Sequence, residues 1–212
     1  MNLSVLKTTG KWKRYWQNRK IDWNEHYGNW EHPHRFVISS ILKNLDWLSL
    51  MEIGVGGGAN MENIVKTIGG KQIGGVDISK DAIDFLNNKF KGGLFKVGSV
   101  EDIMMSDDST DVVLSDMCLI YIGPRKIKKS LQEIKRIARK YVVLCEFHSE
   151  SWWNRLALKI NTGYNAYNYK KLLKNEGFYD ILTYKLTEKD WPGGNPQKVF
   201  GYIIVAKVLK IK

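Results

Sequence analysis

From residue 46 to about 177, apolar runs of strand length alternate with segments whose apolar residues recur at helical spacing. This alternation constrains the fold more than any other feature of the chain. DWLSLMEIG (46–54), KQIGGVDIS (71–79), GLFKVGS (93–99), TDVVLSD (110–116) and YVVLCEF (141–147) read as strands. ANMENIVKTIG (59–69), KDAIDFLNNKF (80–90) and the basic segment 125–140 read as helices between them, and NYKKLLKNEGF reads as a further helix ending at Gly177. Strands joined through helices return in the same direction, so the pattern predicts an α/β fold with a parallel sheet covered by helices. After Gly177 two strand-like runs, YDILTYKLT and KVFGYIIVAKV, are separated by EKDWPGGNPQ, whose Pro and Gly residues break regular structure; the pair reads as a hairpin.

Residues 1–45 stand outside this alternation. They carry Trp12, Tyr15, Trp16, Trp23, Tyr27 and Trp30 before the helix-like RFVISSILKNL, and are expected to pack as an aromatic cap or lid over a domain spanning 46–212. With 43% apolar and 26% charged residues, the composition is that of a globular protein, and no apolar run approaches the roughly 20 residues of a membrane span. The first residues hold no apolar stretch of signal-peptide length, which makes a cytoplasmic location the expectation. Cys118 and Cys145 lie in apolar runs without a partner at metal-ligand spacing and are expected to be small core residues.

The formal charge of +11 leaves a nucleic-acid partner open. In the densest basic cluster, PRKIKKSLQEIKRIARK (124–140), Ile127, Leu131, Ile134 and Ile137 fall at helical spacing, so its cations occupy the solvated faces of an amphipathic helix.

In MEIGVGGGANMENI (51–64), glycines between a strand and a helix let the backbone turn tightly and approach a ligand, with free amides at the helix start. Gly54, Gly56 and Ala59 satisfy the dinucleotide pattern G-x-G-x-x-G/A, while Glu52, Gly54, Gly56 and Gly58 read E-x-G-x-G-x-G. The second pattern resembles motif I of the class I S-adenosylmethionine-dependent methyltransferases. Two further features strengthen the resemblance: Asp77 at the end of the second strand, and GSVEDIMMSDDSTDVVLSDMCLIYI, which is similar to that family's G-D-A-E-D-L-P-F-x-x-x-S-F-D-V-V-x-S segment.

The resemblance implies a three-layer Rossmann-like sandwich with a mostly parallel seven-stranded sheet of order 3-2-1-4-5-7-6, its last strand antiparallel. It implies S-adenosyl-L-methionine as cofactor and S-adenosyl-L-homocysteine as product. Glu52, Gly54, Gly56 and Gly58 would face the methionine end, Asp77 the ribose, and Ile78 an adenine face. Ser99, Val100 and Glu101 would border the adenine edge, and Asp116 and Met117 would complete the cofactor set. Ser99 stands where the family commonly has Asp, which shifts any adenine amino contact toward backbone and Glu101.

Ligands of open α/β sheets sit beyond the carboxyl ends of the strands, which directs attention to the loops there. His148 is the leading candidate for a general base because its ordinary pKa lies near neutrality, with Tyr121 and Glu146 behind it. His26, His32 and His34 are alternatives if the aromatic segment closes over the site. Trp30, His34, Tyr121, Trp152, Arg155 and Trp191 are the candidate substrate contacts. No metal is required by this chemistry. The expected activity is methyl transfer to an oxygen or nitrogen of a small molecule; the alternatives are an RNA or protein acceptor, an NAD-dependent oxidoreductase, or a non-catalytic cofactor-binding protein.

Overall fold

The computed structural model describes residues 8–209. Helices α1 (Thr8–Asn18), α2 (Trp23–Tyr27) and α3 (Pro33–Lys43) precede the sheet. Pro33 opens α3, where its missing N–H costs nothing and its fixed φ suits the first turn. The alternating part runs β1 (Ser49–Ile53), α4 (Ala59–Thr67), β2 (Gln72–Asp77), α5 (Lys80–Lys89), β3 (Leu94–Val97) and β4 (Thr110–Asp116). It continues with α6 (Ile127–Ile137), β5 (Ala138–Phe147), α7 (Trp152–Thr162), α8 (Tyr169–Asn175), β6 (Phe178–Lys185), α9 (Gln197–Phe200) and β7 (Gly201–Val208).

The strands form one seven-stranded sheet of order β3-β2-β1-β4-β5-β7-β6, the order the resemblance implies. The pairs from β3 through β5 are parallel, and β7 runs antiparallel to both β5 and β6. Period-2 alternation divides the strand side chains between two cores. Met51, Ile53, Val113, Val142 and Leu144 pack with Leu131, Ile134 and Leu173 of α6 and α8 on one face. Leu50, Val112, Leu114, Val143 and Cys145 pack with Ile38, Ile64 and Leu86 of α3, α4 and α5 on the other. Cys145 is thus the core residue expected, whereas Cys118 is only partly buried. No described helix is long and apolar enough to cross a membrane.

Three segments depart from the sequence reading. The basic helix ends at Ile137, and the strand begins at Ala138 rather than Tyr141. Arg139 and Lys140 continue the helix's charge run in sequence, but they lie on the less buried start of β5 and carry no helical signal of their own. KVF (198–200) belongs to α9, so β7 starts at Gly201. Residues 152–162, to which the sequence reading assigns no element, form α7, capped by Ser151 Oγ accepting from the Asn154 N–H and closed by left-handed Gly163. Only Leu158 of α7 is buried, while Trp152, Trp153, Leu156 and Ile160 are exposed, so its sequence shows no core-facing stripe.

Candidate active site

The turn after β1 takes its shape from two close approaches. Gly54 has φ +72°, and a Cβ there would stand 2.5 Å from Cys118 Sγ. A Cβ on Gly57 would lie 2.5 Å from the Trp23 carbonyl oxygen and 2.9 Å from that of Tyr27, so helix α2 rests directly on the turn's backbone. Gly58 begins α4 and faces Leu86 and Phe90 of the core. Asp77, at the end of β2, braces the turn: Oδ2 accepts from the Gly56 N–H at 3.0 Å and Oδ1 from the Ser79 N–H at 2.8 Å. Burial raises the Asp77 pKa, and the amides of Ser79, Gly56 and Ile78 pull the other way.

A cavity of about 630 Å³ opens over this turn at the carboxyl ends of β1, β2 and β4. Gly54, Gly56, Asp77, Ile78, Ser99, Val100 and Glu101 line one part, and Asp116, Met117, Tyr121 and Trp191 another. Glu101 is ion-paired with Lys126 Nζ at 2.6 Å. The wall also contains residues that the sequence reading did not name as site candidates, among them Arg35, Lys126, Tyr164, Gln197 and Cys118, which was expected in the core. The indole nitrogens of Trp16 and Trp23, on the same wall, are buried donors without a partner.

Behind the wall lies a buried polar network drawn from four elements. Asn60 Nδ2 donates to Glu52 Oε1 (2.6 Å) and Asp116 Oδ2 (3.0 Å), while Asn60 Oδ1 accepts from Arg35 (2.8 Å). Asp116 Oδ2 also meets Arg35 Nη1 and His34 Nε2, each at 2.9 Å, and Oδ1 has no hydrogen-bond partner. His34 Nδ1 lies 2.6 Å from His32 Nδ1, and its ring stacks on Trp191. Burial alone would raise the Asp116 pKa, but His34 and Arg35 outweigh it and hold the carboxyl well below the usual range. The fold also brings His34, Asp116 and Cys145 together, with ligand atoms within 4.8 Å, although Arg35 already occupies the same carboxylate oxygen as His34.

Glu52 is the other acid of the network, and burial pushes its pKa up to about 8, so it holds a proton at neutral pH. An acid whose folded pKa lies above its unfolded value stabilises the native state at low pH and loses that contribution as pH rises through the folded pKa. Glu52→Gln, which fixes the neutral form, is therefore expected to gain stability over the wild type between about pH 4.5 and 8, by up to ~1.4 kcal/mol per pH unit. Denaturant unfolding at pH 5 and pH 8 checks this; an unchanged pH slope would contradict it.

The catalytic candidates fare differently. Tyr121 lines the cavity, with burial raising its phenol pKa. Glu146 is fully buried inside β5: Oε1 accepts from Ser115 Oγ (2.7 Å), Cys118 N–H (3.0 Å) and Leu119 N–H (2.9 Å), and Oε2 from Ile120 N–H (3.2 Å). It shapes the 3-10 turn Leu119–Tyr121 and is not on the cavity wall. His148 is 4% exposed, accepts the Tyr169 N–H on Nδ1 at 3.1 Å, and lies outside the cavity wall. Burial lowers its pKa, with the positive charge of Lys170 adding to the effect. His148→Ala is accordingly expected to leave turnover within about twofold of wild type, against the 10²–10⁴-fold loss of a general base; steady-state rates decide.

Several further candidates also lie off the wall. Glu52 and Gly58 sit behind it, in the polar network and the core. Trp30 packs on Phe36, with Lys66 over its ring. Trp152 stacks on Trp153 in exposed α7, and Arg155 donates to the carbonyls of Ser149 and Glu150. His34 is 1% exposed and reaches the cavity only through Asp116 and Trp191. His26 bonds within α2, its Nδ1 3.1 Å from the Asp22 carbonyl.

Residues 50–141 match a family model described as a methyltransferase domain. A comparison with curated proteins found no match. Among solved structures, the chain is similar to geranyl diphosphate C-methyltransferase from Streptomyces coelicolor A3(2), crystallised with Mg2+, geranyl diphosphate and S-adenosyl-L-homocysteine. The TM-score is 0.67 at 15% identity, covering 96% of this chain and 98% of that one. It is also similar to magnesium protoporphyrin IX methyltransferase from Synechocystis PCC 6803 with bound S-adenosylhomocysteine (TM-score 0.62, 16% identity, 94% of each chain). A third is a SAM-dependent methyltransferase from Methanosarcina mazei (TM-score 0.61, 19% identity, 81% of this chain and 98% of that one). At these identities the likeness is one of fold, and it agrees with the strand order, the glycine turn and the family match. Residues 50–141 thus match a methyltransferase-domain model, and the chain has the Rossmann-like fold of the class I S-adenosylmethionine-dependent methyltransferases.

Proposed function

We propose that this protein transfers the methyl group of S-adenosylmethionine to an oxygen or nitrogen atom of a small-molecule acceptor, with residues 8–45 as a cap over the site; the first seven residues of the expected 1–45 cap lie outside the described residues. The observation that carries the reading is the 630 Å³ cavity, which joins the glycine turn and Asp77 to a roof of aromatic side chains from α1 and α2. Such a concave, mainly apolar space with a few fixed polar groups suits a small ligand. Helix α6 packs Ile127, Leu131, Ile134 and Ile137 onto the sheet, so its basic face points outward on the flank of the sheet, and this speaks against a polymer bound across the strand ends.

The residues present fit the cofactor. Gly54 and Gly56 offer bare backbone, each oxygen of Asp77 keeps a lone pair for a ribose hydroxyl, and Ile78 and Val100 offer apolar surface to adenine. Asp116 Oδ1, buried and unpartnered, suits an ammonium, and the Arg35 guanidinium suits a carboxylate. Bound there, S-adenosylmethionine supplies an electrophilic methyl group on a sulfonium. The chain aligns the acceptor, excludes water and holds the charged ends apart.

Incubation with labelled S-adenosylmethionine and a cell extract separated into RNA, protein and metabolite fractions tests the reading. Label in metabolites is expected, and label in RNA or protein overturns the small-molecule acceptor. Binding of NADH without binding of S-adenosylhomocysteine overturns the activity altogether. Asp77→Ala should weaken S-adenosylhomocysteine binding by about 1.5–3 kcal/mol, measured by calorimetry; unchanged affinity would remove Asp77 from the ribose.

A further inference from the structure

We propose that the acceptor atom is the nitrogen of an uncharged amine, methylated without a base from the protein and held among aromatic rings that stabilise its cationic product. The proposal deepens the methyl-transfer reading and rests on it.

Two observations carry it. The first is the aromatic wall. Trp12, Trp16, Tyr27, Tyr121 and Tyr164 all line the cavity, and they touch in one continuous arc. Ring centroids are 5.0 Å apart for Trp12–Tyr121, 5.6 Å for Trp16–Tyr121, 5.6 Å for Tyr121–Tyr164 and 5.7 Å for Trp16–Tyr27. Ring faces are negative and attract cations, most strongly where water is excluded. Outside the cavity lining, two rings of the arc already attract a cation: the Arg19 guanidinium, 4.9 Å from the neighbouring Tyr15 centroid, lies 5.5 Å from Trp16 and 5.9 Å from Tyr27.

The second observation is how the proton acceptors of the wall are employed. Asp77 holds loop amides and keeps its remaining lone pairs for the ribose, Glu101 holds Lys126, and Asp116 holds His34, Arg35 and Asn60 on Oδ2 while Oδ1 is the oxygen assigned to the cofactor's ammonium. The phenol of Tyr121 and the thiol of Cys118 are driven by burial toward their neutral forms. A hydroxyl acceptor would have to lose its proton to one of these poor bases. A carboxylate acceptor needs no base but would set an anion against the ring faces. An uncharged amine meets neither obstacle: its lone pair is available as it stands. Lys126 is neutralised by Glu101, and Lys13 is solvent-exposed, so neither places an uncompensated charge deep among the rings.

The step balances. The nitrogen lone pair forms the N–C bond while the C–S bond breaks, its electron pair passing to sulfur to give the neutral thioether S-adenosylhomocysteine. The positive charge moves from sulfonium to nitrogen and stays within the arc. A tertiary amine ends as a quaternary ammonium, whereas a secondary amine yields its remaining proton to water.

The test compares a product-like cation with its neutral carbon isostere on the full chain loaded with S-adenosylhomocysteine. Benzyltrimethylammonium is expected to bind about tenfold tighter than neopentylbenzene by calorimetry, and Tyr121→Leu to cut that preference to below about threefold. The wild-type comparison stands even if the variant fails to fold. Equal binding, tighter binding of the isostere, or binding of neither probe overturns the proposal. S-adenosylhomocysteine affinity is measured first: its absence would sink the methyl-transfer reading, while normal affinity without a cation preference sinks the amine alone.

Discussion

Replacing Glu146 by alanine is expected to cost about 3–5 kcal/mol of stability, a large part of what a domain of this size has. The magnitude follows from what the carboxylate does. It accepts from the Ser115 hydroxyl and from the amides of Cys118, Leu119 and Ile120, all at 2.7–3.2 Å in a site shut off from water. Removing it leaves buried donors unpaired, and each costs about 1–3 kcal/mol. The loss reaches the cavity as well, because Met117, with φ 52°, and the turn that follows present Cys118 and Tyr121 to it. Glu146→Gln keeps one accepting oxygen and should recover part of the loss. Denaturant unfolding of the two variants separates these outcomes; an alanine variant as stable as the wild type would show that residues 116–121 hold their shape without the carboxylate.

Gly57→Ala is expected to lower stability by about 1–3 kcal/mol and to weaken S-adenosylhomocysteine binding along with it. The added methyl would meet backbone carbonyl oxygens of Trp23 and Tyr27 at 2.5 and 2.9 Å, which have no rotamer through which to retreat. Either α2 lifts or the glycine turn shifts, and both border the cavity. A melting curve together with a binding isotherm checks the pair of effects. Loss of stability with undiminished affinity would mean that α2 moves alone and that the turn is indifferent to it.

These two variants mark where the sequence was silent. Glycine at 57 reads in sequence as one more permissive residue in a loop, and nothing local says that a helix about thirty residues upstream rests on it. Glu146 reads as an acid at the end of an apolar strand, close to where substrates bind, and so as a candidate for catalysis. Only the fold turns it inward, to the amides of a turn about thirty residues earlier. His148 has the same history: a pKa suited to catalysis is a property of the residue type, but access to a substrate depends on whether the ring faces the cavity or the Tyr169 amide.

The elements themselves were more legible. β4 spans Thr110–Asp116, the range of its apolar run, and α4 and α5 begin at the residues their sequences indicate. Helix α7 was not legible, because a helix exposed on nearly all sides has no buried stripe to betray its period.

What the sequence by itself determined is the part of this protein governed by local chemistry and by period. Apolar alternation and crossover helices dictate the parallel sheet, and glycines between strand and helix dictate a ligand turn, with an acid closing the next strand. What only the tertiary structure decided is which side chains meet. The network of His34, Arg35, Glu52, Asn60 and Asp116 and the arc of Trp12, Trp16, Tyr27, Tyr121 and Tyr164 each join residues far apart in sequence. Their juxtaposition comes from packing α1 and α2 over the strand ends and α3 against one face of the sheet with its first turn at those ends, a long-range event that leaves no periodic trace in the chain.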